Sequence, residues 1–199
     1  MTKKFHDSHP KHERTLTVIK PDGIQRSLIG EVVSRYEKIG LKLVAMKMLK
    51  PTPEHIKKHY TLDPEWLRKV GEKSISSASA KGADTSSMIA EEVGSIVLKC
   101  LTEYMTSGPV IAMVWEGAHA VSIVRKITGG TEPLSSDVGT IRGDFMLDSY
   151  QMSNADGRAV RNLVHASGTT SEAEQEIAHW FSKDELMDYT HVQEKILYE

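Results

Sequence analysis

The sequence predicts a sandwich of helices and strands, of the α+β or α/β class. Strand-like and helix-like hydrophobic patterns alternate along the chain, beginning with a strand and ending with a helix. The chain has 199 residues, of which 39% are hydrophobic, so it can bury one sizeable core. No internal repeat is evident in the sequence. We therefore expect one domain rather than two.

The first strand is predicted over residues 14–20, RTLTVIK, which is rich in β-branched residues. Pro21 ends it because proline cannot donate a hydrogen bond within a sheet. Asp22 and Gly23 are typical turn residues. Lys20 is therefore expected at the carboxyl end of this strand.

Hydrophobic spacing predicts the next three elements. Apolar residues from Leu28 to Ile39 keep helical spacing, and Gly40 is typical of the residue that follows a helix. Residues 42–49, KLVAMKML, alternate as a second strand. Residues 53–61 are helical in pattern.

The middle of the chain combines a polar segment, a helix and an apolar strand. Residues 74–87, SISSASAKGADTSS, are small and polar, which predicts a loop or a mobile insertion. The helix after it carries an apolar stripe of Ile89, Val93, Ile96, Val97, Cys100, Leu101 and Tyr104. Residues 109–117, PVIAMVWEG, form a strand that is apolar on both faces, so we expect one face to form a subunit interface.

The last third of the chain begins with a helix over residues 118–127 and a loop over 128–144 that contains four glycines. Leu163 and Val164 indicate a short strand. His165 is then expected on the connection between this strand and the last helix, a position where folds commonly place reactive groups.

The final helix is predicted from its capping residues. Ser171 with Glu174 three residues later forms a capping box, so the helix should start near residue 172. Its apolar stripe consists of Ala173, Ile177 and Trp180.

Composition narrows the class of protein. The formal net charge is −2 and the pI is about 6.5, which gives no indication of a nucleic-acid or membrane partner. Cys100 is the only cysteine, so no disulfide can form within the chain. The first 12 residues are polar, include His6, His9 and His12, and are expected to form a flexible tail. We expect a cytoplasmic protein.

Three segments carry polar residues suited to chemistry: IKPDG at 19–23, the glycine-rich stretch at 129–145, and RNLVHAS at 161–167. With the nearby helix they offer three cations, a hydroxyl, an amide and a histidine, a set suited to spreading phosphate charge. Alternatively, the two arginines are ordinary solvated side chains. The residues concerned are Lys20, Arg125, Thr131, Arg142, Asn162 and His165.

A series of motifs resembles one family in the same order along the chain. They are TLTVIKPDGIQR, HY at 59–60, SGPVIAMVWEG, GTIRGDF, NLVHAS with Glu176 downstream, and the closing YE. Together they resemble nucleoside diphosphate kinase, over most of residues 13–199. The resemblance implies a single kinase domain with a ferredoxin-like α+β sandwich, a four-stranded antiparallel sheet, and an insertion after the second strand.

The same resemblance implies exchange of the γ-phosphate between nucleoside triphosphates and diphosphates by a ping-pong mechanism. The histidine matching His165 attacks through Nδ1 and becomes a phosphohistidine. Glu176 would fix its tautomer, and Ser167 would help orient Glu176. Tyr60 would lie near the transferred phosphate.

Further residues are carried over as nucleotide ligands. Phosphate and ribose would be bound by Lys20, Arg125, Thr131, Arg142 and Asn162, while Trp66 is a candidate to stack on the base. No metal site of the protein itself is expected, because magnesium (Mg2+) should arrive with the nucleotide. The Walker pattern of P-loop enzymes is absent from the sequence. A homo-oligomer is implied, a hexamer first and a tetramer next.

The sequence departs from the family pattern at two places. His165-Ala166-Ser167-Gly168 replaces the usual HGSD, so an acidic residue near the magnesium is missing. Insertions are expected near 64–92 and 146–160, because both segments are longer than in common members of the family.

Three other interpretations of the sequence are possible. His55 and His59 are four residues apart on a predicted helix, but neither a third metal ligand nor a catalytic glutamate is predicted nearby. A catalytically silent scaffold would not need the complete set of transfer residues. A single-stranded nucleic-acid binder on the same fold would need aromatic residues on its sheet and a basic charge.

Overall fold

The computed structural model describes residues 9–80 and 82–199. Within them, four strands form one antiparallel sheet in the order β2-β3-β1-β4, which confirms the predicted α+β sandwich. The strands are β1 (Arg14–Ile19), β2 (Lys42–Leu49), β3 (Val110–Glu116) and β4 (Val164–Ala166). Strands β1 and β3 are therefore central, and β4 is a short edge strand.

Ten α-helices are described alongside these strands. They are α1 (Pro21–Gln25), α2 (Ile29–Glu37), α3 (Pro53–Tyr60), α4 (Trp66–Ala80), α5 (Ala90–Thr106), α6 (Ala120–Thr128), α7 (Ile141–Phe145), α8 (Tyr150–Ala155), α9 (Thr170–Trp180) and α10 (Glu194–Tyr198). Helices α3 to α5 lie between β2 and β3 along the chain, where the insertion was expected. None of the described helices is long and apolar enough to span a membrane.

The two faces of the sheet are both covered by helices of the same chain. On one face, Val110, Ala112 and Val114 of β3 belong to a core cluster shared with α3, α5 and α9. On the other face, Ile111, Met113 and Trp115 belong to a cluster shared with α2, α6 and α7. The apolar character of β3 is thus explained within the chain, and the inference of a subunit interface from this strand was wrong.

Helix α4 corrects the prediction of a loop over residues 74–87, since it continues to Ala80. It packs antiparallel against α5, with Gly71 against Ala90 and Leu67 against Gly94. A Cβ on either glycine would overlap a backbone carbonyl of the facing helix. Small residues therefore allow this close approach, and tertiary contact overrides the weak helix propensity of the serine-rich sequence.

Other differences concern the ends of elements. Residues 21–25 form α1 instead of a turn, because proline is well suited to the first position of a helix. Helix α9 is capped by Thr169, whose side chain accepts from Glu172 N, so the capping box of Ser171 and Glu174 does not form. The capping hydroxyl lies two residues earlier than predicted.

The segments expected to be loop, insertion or tail contain short regular structure. A 3₁₀ turn at Pro133–Ser135 and most of helix α7 lie within the predicted loop at 128–144. Helix α8 lies within residues 146–160, where an insertion was predicted. Of the predicted tail, residues 1–8, with His6, lie outside the described residues, and Pro10–His12 form a 3₁₀ turn.

We predict that Gly71→Ala destabilises the fold by about 1–3 kcal/mol, because the added methyl group must push α4 away from the backbone of α5. Chemical denaturation of the variant and the native protein measures this difference. Gly30→Ala is the matched control, because Gly30 is helical and has open space around its Cβ position. That control should be neutral or stabilising by up to about 1 kcal/mol. Equal stability of the Gly71 and Gly30 variants would contradict the close packing described here.

Candidate active site

His165 lies in the middle of β4, not on the connection that follows it. Strand β4 pairs with β1 so that His165 is opposite Val18. The preceding Leu163 has a positive φ of 68° and is fully buried, and its carbonyl accepts a hydrogen bond from Lys20 N at 2.8 Å. Such a conformation costs roughly 1–3 kcal/mol, which the burial of Leu163 helps to offset. This bend joins the Lys20 end of β1 to the His165 strand.

The imidazole of His165 is held on one side by a carboxylate. Its Nε2 lies 2.9 and 3.0 Å from the two carboxylate oxygens of Glu176, in the second turn of α9. Ser167 donates from Oγ to Oε2 of Glu176 at 2.6 Å. Burial raises the pKa of Glu176, while His59 and the Ser167 hydroxyl act in the opposite direction. A neutral imidazole facing a carboxylate carries its hydrogen on Nε2, which leaves the lone pair on Nδ1.

His59 also belongs to this group, although its role was not predicted. Its ring meets that of His165 edge to face, with centroids 4.5 Å apart, and its Nδ1 lies 3.7 Å from Oε1 of Glu176. Trp180 donates from Nε1 to the same Nδ1 at 3.1 Å. His59, His165 and Glu176 present ligand atoms within 4.8 Å of one another. The HY dipeptide in the resemblance was the available signal for His59.

The other member of the predicted histidine pair lies elsewhere. The His55 ring stacks on His179 with centroids 4.0 Å apart, and His55 is not part of the group around Glu176. The two histidines four residues apart on α3 therefore do not converge on a common centre.

The environment of His165 favours its neutral form. Burial and the nearby Lys20 cation lower the pKa of His165, and Arg142 and Arg125 add to this effect. Burial likewise lowers the pKa of His59. The neutral imidazole is the nucleophilic form, and the nearby cations favour it because they disfavour protonation of the ring. The same cations suit an anionic substrate.

Lys20 and Asn162 form a buried pair beside His165. Nζ of Lys20 donates to Oδ1 of Asn162 at 2.7 Å, and Nδ2 of Asn162 donates to the carbonyl of Thr131 at 2.9 Å. Burial and the Arg142 guanidinium lower the pKa of Lys20 to about 7. The pair thereby connects β1, the segment before β4, and the loop of Thr131.

Arg142 ties this same loop to β4. Its guanidinium donates to the carbonyls of Gly129, Gly130, Asn162 and Val164. Since an arginine has five N–H donors, these four bonds leave one for a ligand. Arg125, by contrast, is an exposed residue of α6, and its Nη1 lies 3.7 Å from the position that a Cβ on Gly168 would occupy.

Two aromatic rings border the site on the side of α3 and α4. Tyr60 lies 6.3 Å from His165, measured between ring centroids, and 5.3 Å from Trp66. Burial raises the pKa of Tyr60. Trp66 is half-buried at the start of α4, so its ring is still partly accessible.

Glu172 is a second carboxylate near the histidine that sequence analysis did not identify. The Gly168 N–H donates to its Oε2 at 2.9 Å. Partial desolvation and the neighbouring Glu176 raise the pKa of Glu172, whereas His165 and Arg125 lower it. The signal in the sequence was its position four residues before Glu176, which places both on one face of a helix.

The predicted site residues therefore gather at one end of the sheet. His165 contacts Glu176, which in turn accepts a hydrogen bond from Ser167. The cations close enough to act on His165 are Lys20, Arg125 and Arg142. Lys20 is linked through Asn162 to Thr131. Tyr60 and Trp66 adjoin His59 and each other. These groups suit one class of chemistry, the transfer of a phosphoryl group involving an imidazole nitrogen.

Comparisons with known proteins agree with this class. A family model described as nucleoside diphosphate kinase matches residues 13–66 and 73–186. A nucleoside diphosphate kinase of Pyrobaculum aerophilum is 47% identical over 180 residues, covering 88% of this chain and 98% of that protein. Human nucleoside diphosphate kinase B is 38% identical over 177 residues, covering 89% of this chain and 91% of that protein. The chain belongs to the nucleoside diphosphate kinase family and is a phosphotransferase.

Solved structures agree as well. The crystal structure of the Pyrobaculum aerophilum NDP kinase has a TM-score of 0.84 at 45% identity, covering 89% of this chain and all of that one. A nucleoside diphosphate kinase from Borrelia burgdorferi, described as a transition-state mimic with bound vanadate and ADP, has a TM-score of 0.76 at 35% identity and covers 94% of this chain and 96% of that chain. These similarities support phosphoryl transfer between nucleotides.

We predict that His165 stays neutral in mildly acidic solution. A histidine with the ordinary pKa of about 6.5 would be roughly tenfold more protonated than neutral at pH 5.5. Because the pKa of His165 is lowered, its ring should remain neutral there. The imidazole nitrogen signals in NMR spectra, assigned with a His165→Asn variant, report this state. A titration midpoint near 6.5 would contradict the environment described above.

Proposed function

We propose that the protein exchanges the γ-phosphate between nucleoside triphosphates and diphosphates by a ping-pong mechanism, with a phosphohistidine at His165. The observation that carries this proposal is the contact of Nε2 with Glu176, which leaves the lone pair of Nδ1 available. The complexes of related kinases with ADP and vanadate, and with CDP, support nucleotides as the substrates. We further propose that the enzyme acts in the cytoplasm.

In the first half-reaction Nδ1 of His165 attacks the γ-phosphorus of a nucleoside triphosphate. The N–P bond forms as the bond between the γ-phosphorus and the bridging oxygen breaks, and that electron pair leaves with the nucleoside diphosphate. In the second half-reaction a terminal oxygen of another nucleoside diphosphate attacks the phosphohistidine, and Nδ1 regains its lone pair. As the ring becomes positively charged, the adjacent Glu176 carboxylate stabilises it through Nε2–H.

The phosphates would be bound by Lys20, Arg125 and the remaining N–H donor of Arg142. The ribose would be bound by Thr131 and Asn162. Magnesium bound with the nucleotide would neutralise phosphate charge. The site fits such an ion, because Glu172 offers carboxylate oxygens, the donors that magnesium prefers, from an exposed position near His165. We propose that Tyr60 adjoins the transferred phosphate and that the half-buried Trp66 stacks on the base, next to the insertion at 64–92.

We also propose a homo-oligomer, a hexamer first and a tetramer next. The family resemblance supports this assembly, and Met46 and Met48 are exposed on the edge strand β2. The second edge of the sheet, β4, carries His165 and would have to stay open to substrate. Light scattering of the purified protein measures the mass of the assembly.

Removal of His165 should abolish phosphorylation. His165→Asn deletes the nucleophile, so γ-³²P-labelled ATP should leave no acid-labile, alkali-stable label on the folded variant. His9→Asn is the matched control, since His9 is exposed in the N-terminal turn, and its label should equal that of the native protein. Normal labelling of the His165 variant would reject the proposal.

Glu176→Gln should slow the formation of phosphohistidine by roughly tenfold to a hundredfold, about 1.4 to 2.7 kcal/mol. The amide retains the shape of the side chain but not the charge that stabilises a positive imidazole. Quenched-flow labelling measures the rate, and Glu174→Gln, an exposed position on the same helix, provides the control. An unaltered rate in the Glu176 variant would remove this carboxylate from the mechanism.

A further inference from the structure

The carboxylate of Glu172 occupies the space beside Gly168, two residues after the end of β4. Oε2 of Glu172 accepts from the Gly168 N–H at 2.9 Å, and a Cβ built on Gly168 would lie only 2.5 Å from this oxygen. The same Cβ position is 3.7 Å from Nη1 of Arg125. A side chain at position 168 and the carboxylate of Glu172 would therefore compete for one place at the edge of the cation group.

A negative charge at this place is unfavourable for binding a bare phosphate. Glu172 lies one helix turn before Glu176, and burial together with the neighbouring Glu176 charge raises the pKa of Glu172. A nucleotide tail brings several further negative charges next to Arg125 and His165. Like charges at such distances repel, and a divalent cation between them removes the repulsion.

Of the other carboxylates near the site, Glu176 and Glu132 are already engaged, and Asp22 is buried beside Lys20. Glu176 contacts His165 and accepts from Ser167. Glu132 accepts from the backbone N–H of Tyr150 and from Ser135. Glu172 is bound through Oε2 to one backbone amide and is exposed, so it can turn an oxygen toward an incoming ion.

We propose that Glu172 is the carboxylate that holds the magnesium of the bound nucleotide, directly or through one of its water molecules, from the place that a side chain at Gly168 would otherwise fill. This inference rests on the proposed function of the site. In this chain the acidic group thus comes from the first turn of α9 instead of from the segment that follows the histidine. Its role is in binding, and His165 remains the nucleophile.

The inference is tested by binding measurements that involve no phosphoryl transfer. Manganese(II) replaces magnesium as a paramagnetic probe, and its affinity for the complex of enzyme and ADP is measured by electron paramagnetic resonance. Glu172→Gln should weaken manganese binding by about tenfold or more. Glu174→Gln, one exposed glutamate further along α9, should leave it unchanged.

A second measurement separates ligation from a structural role. The affinity for ADP in the presence of a chelator should be unchanged or higher in Glu172→Gln, because the variant removes a negative charge near the phosphates. A disturbed site would instead bind ADP more weakly both with and without the metal. Weaker binding under both conditions would overturn the proposal, as would native manganese affinity in the variant.

A further variant places the carboxylate at position 168, in the segment that follows β4. In the double variant Glu172→Ala with Gly168→Asp, the truncated residue 172 leaves the place free for the new carboxylate, which should restore most of the manganese affinity lost in Glu172→Ala. If affinity is lost in Glu172→Ala and stays low in the folded double variant, the carboxylate acts only by holding the Gly168 backbone, and the proposal fails. Failure of the phosphohistidine mechanism would appear separately, as native protein that takes no label at His165.

Discussion

The contact between Glu176 and Nε2 of His165 is the interaction on which the rest of the site depends. It joins an edge strand to the helix that follows it, and Ser167 fixes the carboxylate from the intervening segment. The packing of Ile177 and Trp180 into the core sets the rotation of α9, which points Glu176 at the histidine. Core packing thus determines which imidazole nitrogen is held and which is free.

A second constraint is the accumulation of positive charge in a poorly solvated place. Lys20 and Arg142 are both buried, and desolvation lowers the pKa of each. Hydrogen bonds offset part of this desolvation cost. Arg142 donates to four backbone carbonyls, and Lys20 donates to the side chain of Asn162. An anionic substrate would relieve the remaining cost, so the site is electrostatically suited to phosphate.

Much of the fold was predictable because strand and helix periodicity in this chain is clear. The strands at 14–20, 42–49 and 109–117 were confirmed to within one residue at each end. Residues 74–80 were missed because their small polar side chains give no apolar stripe, whereas the structure shows α4 in close contact with α5 at Gly71 and Gly94. The chain's own helices on both faces of β3 could not be inferred from that strand alone.

The candidate site was predictable where the resemblance supplied motifs, as for Lys20 and His165. His59 lies on α3, which contacts α9 through the hydrogen bond between His59 and Trp180. No local sequence pattern predicts that these two helices are in contact. Glu172 was missed for a different reason, since its importance follows from the missing side chain at Gly168 and from the space this leaves. Such a relation between two positions becomes visible only in three dimensions.

The identity of the phosphorylated nitrogen is the most direct test of Nδ1 as the nucleophile. Phosphorus NMR of the labelled, denatured protein distinguishes phosphohistidine substituted at Nδ1 from that substituted at Nε2. Because Glu176 holds Nε2, we expect the Nδ1 isomer at His165. Phosphate on Nε2, or on any other residue, would contradict this expectation.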